Sequence, residues 1–174
     1  MAKKFIILDT ETTGLEVRQG HKIIEIGAVV LNDRKKSSDH FHAYINPGRL
    51  IDEEASKVHG ITNQDLENEP MFAAIADDFI EFIQGSTLII HNAPFDVGFL
   101  NSELKAVSAK YPKLEDICEI EDSLVIARSK FPGQRNSLDA LANRFEVSGY
   151  DRSFHGALLD ANILADVYIY LTGG

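Results

Sequence analysis

Apolar residues in this chain gather first in short continuous runs and later at three- and four-residue spacings, so the pattern shifts from strand to helix along the sequence. Phe5-Ile6-Ile7-Leu8 is a continuous apolar run with two β-branched members and predicts a buried central strand. A second strand is expected over Lys22 to Leu31. Asp39 to Ile45 alternates polar and apolar residues and stops at the turn signal Asn46-Pro47-Gly48, giving a third strand in hairpin order with the second and hence antiparallel to it. The stretch around Val58 to Thr62 reads as irregular. Pro70 then opens a helical pattern in which Phe72, Ile75, Ala76, Phe79, Ile80 and Ile83 share one side, closed by Gly85. Thr87 to Ile90 is another buried strand. Asn92-Ala93-Pro94 starts a helix with Phe95, Phe99, Leu100 and Leu104 inside, and helical patterns recur from Glu121 to Ser129, Ser137 to Phe145 and Ala157 to Leu171. With no repeat and no Ser/Gly-rich linker, this order predicts one α/β domain over residues 1–174, built on a mixed sheet flanked by helices.

A length of 174 residues and a hydrophobic share of 44% suit one well-buried core. The single cysteine, Cys118, has no internal disulfide partner and is expected to pack as a small apolar residue. The opening residues form too short an apolar run for a signal peptide, and no stretch approaches the roughly 20 apolar residues of a membrane helix, which points to a cytoplasmic protein. Twenty-seven acidic against 17 basic residues give a formal charge of −10, which disfavours a tight non-specific nucleic-acid binder. Arg128, Lys130, Arg135 and Arg152 read as scattered surface cations. Two classes survive this balance: an acidic domain with no nucleic-acid role, or an enzyme whose carboxylates hold metal ions that meet phosphate locally.

Four carboxylates favour the second class. Asp9 and Glu11 follow the first buried strand and, two residues apart on an extended chain, point to the same side. Asp96 lies four and eight places before Leu100 and Leu104, on the buried side of its helix. Asp160 precedes Leu164, Val167, Tyr168 and Leu171 at core-facing spacing. Either helical Asp alone fits a carboxylate satisfying free amides at a helix start. Four such residues beside apolar runs fit that account poorly, because burying unpaired negative charge is costly unless cations neutralise it. Oxygen donors without cysteine select Mg²⁺ or Mn²⁺, and two such ions serve an in-line phosphoryl displacement. His155, five residues before Asp160 and next to Gly156, has the chemistry of a general base near neutral pH.

The segments Asp9-Thr10-Glu11-Thr12-Thr13-Gly14-Leu15, His91-Asn92-Ala93-Pro94-Phe95-Asp96 and His155-Gly156-Ala157-Leu158-Leu159-Asp160 resemble the three exonuclease motifs of the DEDD superfamily, and the His-x-x-x-x-Asp form marks its histidine branch. Within that branch the chain is most similar to the proofreading epsilon subunits of bacterial DNA polymerase III, through residues 20–28, Val58-His59-Gly60-Ile61 and residues 131–141. The resemblance implies a ribonuclease-H-like mixed sheet and 3′→5′ release of nucleoside 5′-monophosphates from DNA. It implies two divalent cations, Mg²⁺ or Mn²⁺, on Asp9, Glu11, Asp96 and Asp160, with His155 as general base. Asp9, Glu11, Thr12, Thr13, Leu15, Glu54, His59, Asn92, Phe95 and Asp160 are the implied contacts to the terminal nucleotide. In that family a carboxy-terminal segment beyond this domain ties it to the polymerase III alpha subunit, and a small theta-type accessory subunit joins it in some bacteria. The chain is therefore expected to be either the catalytic piece of such a subunit or a shorter stand-alone relative. An RNA 3′-exonuclease of the same branch and a catalytically silent polymerase-binding scaffold are the alternatives, because one 2′-hydroxyl contact separates the two sugars.

Overall fold

The structure is a computed structural model that describes residues 4–151 and 153–173, so Arg152 of the expected surface cations lies outside the described residues. Five strands form one mixed sheet. They are β1 (Phe5–Thr12), β2 (Ile23–Asn32), β3 (Lys35–Tyr44), β4 (Thr87–Ile90) and β5 (Glu119–Asp122), in the order β3-β2-β1-β4-β5. β2 runs antiparallel to both β1 and β3, while β4 runs parallel to both β1 and β5. The helices are α1 (Glu53–His59), α2 (Asn63–Leu66), α3 (Phe72–Ile83), α4 (Ala93–Val107), α5 (Leu114–Ile117), α6 (Ser123–Lys130), α7 (Leu138–Arg144) and α8 (Ala157–Thr172). No helix among the described residues is long and apolar enough to cross a membrane.

The two-residue period of β1 divides its side chains between two cores. Ile6 and Leu8 pack with Ile26, Ala28 and Val30 of β2 against Phe79 of α3 and Phe99 and Leu100 of α4. Ile7, together with Val29, Leu31 and Ile89, packs against Ala161, Leu164 and Tyr168 of α8. A bulge between Glu11 and Thr12 skips Ile24 in the β1–β2 register. Ile24 thereby joins Ile51, Ile61 and Leu66 beneath α1 and α2. Cys118 is buried in the first core, as its type predicts, and its thiol meets the Ile83 carbonyl.

Several boundaries differ from those the sequence pattern gave. β1 continues through Asp9 and Glu11 to Thr12, because the facing strand goes on pairing with it as far as Ile23. β3 starts at Lys35 rather than Asp39, since its polar first half pairs with the end of β2. Residues 119–122 are a strand and not the start of a helix; they pair with all of β4, and α6 begins only at Ser123, where the Asp122 carboxylate accepts from the Leu124 amide. The stretch read as irregular around residues 58–62 contains the end of α1 and leads into α2, whose start is closed by a Thr62–Asp65 capping box.

Candidate active site

Three elements bring the acidic residues together. Asp9 and Glu11 occupy the end of β1 on the face that α8 covers, with Gly27 and Glu25 as their register partners on β2. Asp160 lies in the first turn of α8 and is buried. Carboxylate oxygens of Asp9, Glu11 and Asp160 lie within 4.8 Å of one another. Asp96 arrives from the opposite face of the sheet, in the first turn of α4, and accepts a hydrogen bond from the Thr10 hydroxyl. It stands outside the group of three, yet its charge acts on Asp9.

Burial raises the Asp9 carboxyl well above the usual carboxylate range, and the charges of Asp96, Glu11 and Asp160 raise it further. Burial pushes Asp96 up to about 7, against the lowering effect of the Thr10 hydrogen bond. A carboxylate set with only oxygen donors, in which burial and then neighbouring charge hold Asp9 toward its neutral form and burial does the same to Asp96, matches hard divalent cations. The residues present therefore fit such ions.

The histidine of the third motif is close by. His155 is partly exposed, its Nδ1 lies 3.8 Å from Asp160 and its Nε2 lies 3.7 Å from Asp139 at the start of α7. Its loop is fastened to α1, because the His155 amide donates to the Val58 carbonyl at 2.9 Å. The Phe154 ring packs on Gly60, a residue at φ +71° that a Cβ would force into that ring.

A cleft of about 640 Å³ opens beside the acidic group, and Thr10, Glu11, Thr12, Leu15, His59 and Phe95 are among its walls. Glu54 and Val58 of α1 line it as well. Leu15 projects into solvent at the rim of this cleft, 79% exposed. His59 is buried, its Nδ1 accepting from the Ile61 amide at 3.0 Å and its Nε2 donating to the Thr12 carbonyl at 3.3 Å; burial lowers its pKa. Two of the expected nucleotide contacts fall elsewhere. Thr13 is fully buried behind the wall, its hydroxyl on His21 and its amide and carbonyl both engaged by backbone. Asn92 is exposed at φ 70° and lines a neighbouring depression with His91, Arg128 and Ser137. Its amide is held by the Asp122 carboxylate, which fixes the turn from β4 into α4.

Sequence reading passed over two residues that shape this site, Glu25 and Gly27. Glu25 is 2% exposed, and a Cβ on Gly27 would overlap the backbone of Ala157 and Leu158. The signal was present: Glu25 is the lone charge in the run Ile23 to Leu31.

Comparison with known proteins agrees with this geometry. Residues 6–168 match the Exonuclease (RNase T) family. The chain is 50% identical over 173 residues to DNA polymerase III subunit epsilon of Escherichia coli K12, covering 97% of this chain and 71% of that protein. It is 54% identical over 169 residues to the same-named subunit of Rickettsia typhi, covering 97% and 74%. Among solved structures it superposes on Exonuclease X in complex with 5′ overhanging duplex DNA with a TM-score of 0.76 at 26% identity, covering 97% of this chain and 91% of that one. The nuclease domain of 3′hExo, a DEDDh family member, shares the fold at a TM-score of 0.78 and 19% identity, covering 98% and 92%. The chain thus belongs to the exonuclease family, among the DNA polymerase III epsilon subunits, and is a 3′→5′ exonuclease.

Proposed function

We propose that this chain, as one exonuclease domain, releases nucleoside 5′-monophosphates from single-stranded or frayed DNA 3′ ends and proofreads for the cytoplasmic replicative DNA polymerase III. The observation that carries this reading is the convergence of Asp9, Glu11 and Asp160 oxygens within 4.8 Å beside a cleft of nucleotide size. In this reading Asp9, Glu11, Asp96 and Asp160 hold two divalent cations, Mg²⁺ or Mn²⁺. The chemistry those ions supply is neutralisation of charge at the scissile phosphate, which a −10 protein otherwise repels.

The chain's own groups do the rest. His155 accepts the proton of the attacking water, and Asp139, 3.7 Å from its Nε2, steadies the imidazolium that results. Attack in line at phosphorus expels the 3′-oxygen of the penultimate nucleotide. The terminal nucleotide occupies the cleft between Thr12, Leu15, Glu54, His59 and Phe95, with Asp9, Glu11 and Asp160 at its phosphate end. Thr13 acts on this pocket from behind by holding His21, and Asn92 acts by turning the chain into α4. Mismatched ends fray more readily, so a site that takes unpaired nucleotides removes errors without reading bases. Tethering to the polymerase III alpha subunit, with a theta-type accessory subunit where one exists, supplies effective concentration in place of DNA affinity.

The test is nucleotide release from 3′-labelled single-stranded, paired and mispaired DNA and from an RNA oligomer, with Mg²⁺, Mn²⁺ or EDTA. Metal-dependent release from DNA, fastest at mispaired ends and reduced about 10²-fold or more by His155→Ala, is the expected result. Preference for RNA would keep the chemistry and replace the substrate. No release from either polymer by a folded, metal-loaded protein would sink the reading.

A further inference from the structure

Glu25 is a buried carboxylate that the proposed chemistry does not use. It stands opposite Glu11 in the β1–β2 register, on the same face as the acidic group. Both of its oxygens are engaged: Oε1 accepts from the Ala157 amide at 2.9 Å, Oε2 accepts from His42 Nε2 of β3 at 2.6 Å, and the Tyr44 hydroxyl of β3 also donates to this carboxylate. Ala157 is the first residue of α8, and its N-cap, Gly156, has no side chain with which to cap the helix. The cap comes instead from the sheet, and its negative charge suits a helix N-terminus. An apolar residue at position 25 would spare the site one more negative charge, but it could not accept the α8 amide.

Gly27 completes the dock. It pairs with Asp9 in register, and the space left by its missing Cβ is filled by the Ala157–Leu158 backbone. Asp160 follows Ala157 by three residues, less than one helical turn, so both lie on the side of α8 that meets the sheet. Whatever fixes Ala157 against β2 thereby fixes Asp160 against Asp9 and Glu11.

We propose that Glu25 is a positioning residue: bridging His42 of β3 to the first amide of α8, it seats that helix so that Asp160 reaches Asp9 and Glu11. This inference rests on the reading of those carboxylates as holders of divalent cations. Glu25 acts through Asp160 and not through contact with DNA, so its loss affects metal affinity and turnover separately from substrate affinity.

Mn²⁺ binding by calorimetry without DNA, together with kcat and KM on a 3′-labelled primer, tests it in the folded protein. Glu25→Ala should weaken Mn²⁺ binding and lower kcat by about 10- to 100-fold each while KM for primer stays within about threefold. Glu25→Gln keeps an acceptor for the Ala157 amide and should restore both to within about threefold of wild type. If Glu25→Ala fails to fold, the double variant His42→Ala with Tyr44→Phe removes the lateral hold from the outer strand and should shift the same quantities in the same direction by about tenfold. Wild-type Mn²⁺ affinity and kcat in Glu25→Ala, a Glu25→Gln as defective as Glu25→Ala, or a His42→Ala/Tyr44→Phe double variant without effect would each overturn the inference while leaving the exonuclease reading intact. A wild-type protein that neither binds Mn²⁺ nor cleaves DNA would overturn the reading, and the inference with it.

Discussion

On one face of β1, Ile6, Leu8 and Thr10 run into the packing of α3 and α4; on the other, Phe5 and Ile7 give way to Asp9 and Glu11 beneath α8. The first face stays neutral to its end, where the Thr10 hydroxyl is satisfied by Asp96 and the Thr12 hydroxyl by the Gly14 carbonyl. The second face turns from apolar to acidic within two residues, and burial, then the repulsion it accumulates, raises the Asp9 carboxyl. One strand thus serves stability on one side and chemistry on the other. The difference is that the packing face gains by being dry, whereas the acidic face is destabilised by burial until a cation relieves it.

The sharpest way to break this comparison is Asp9→Asn. Removing one charge from the acidic face should cost about 10³-fold or more in nucleotide release, since the metal contribution is several kcal/mol. Thermal melting without metal should show equal or higher stability, because repulsion within the acidic cluster is relieved. Leu8→Ala probes the other face: with Leu8 fully buried, chemical denaturation should show a loss of about 2–5 kcal/mol. Release per folded molecule should keep its metal dependence. Gly27→Ala tests the packing of the acidic face itself, because the added Cβ drives α8 from the sheet. It should lose about 1–3 kcal/mol in denaturation and weaken Mn²⁺ binding in calorimetry.

The smallest effect concerns pH. Burial holds Asp96 at about 7 and Asp9 above its ordinary range, so between about pH 4 and pH 7 the metal-free folded chain keeps protons that the unfolded chain releases. Stability from this source is full below the unfolded value and is lost as pH rises through the folded one. Buried His59 and half-buried His91, whose pKa values desolvation lowers, act oppositely and lose stability as pH falls below about 6.5. Comparing Asp96→Asn with wild type cancels the histidines. The Tm of the variant should gain on that of wild type from about pH 4 to about pH 7, and a constant difference would contradict the raised Asp96.

Legibility along the chain followed local pattern. α3, α4 and α8 were readable because apolar spacing over three or more turns fixes both helix and buried side. β5 was not: Glu119-Ile120-Glu121-Asp122 has one apolar residue and exists because β4 pairs with it and Tyr168 of α8 donates to Glu121 at 2.7 Å. The polar first half of β3 is likewise held by the end of β2 rather than by its own composition.

By itself the sequence determined that Asp9 and Glu11 share a face, that Asp96 and Asp160 open helices on their buried sides, and that His155 stands five residues before Asp160. These follow from the periods of strand and helix, which depend only on neighbours along the chain. Only the tertiary structure decided that Asp96 comes from the far face through Thr10, that Thr13 sits behind the cleft wall, and that Glu25 and Gly27 seat α8 against the acidic group. Those placements depend on how distant elements pack, and local periodicity carries no information about the distance between two faces once the chain has closed on itself.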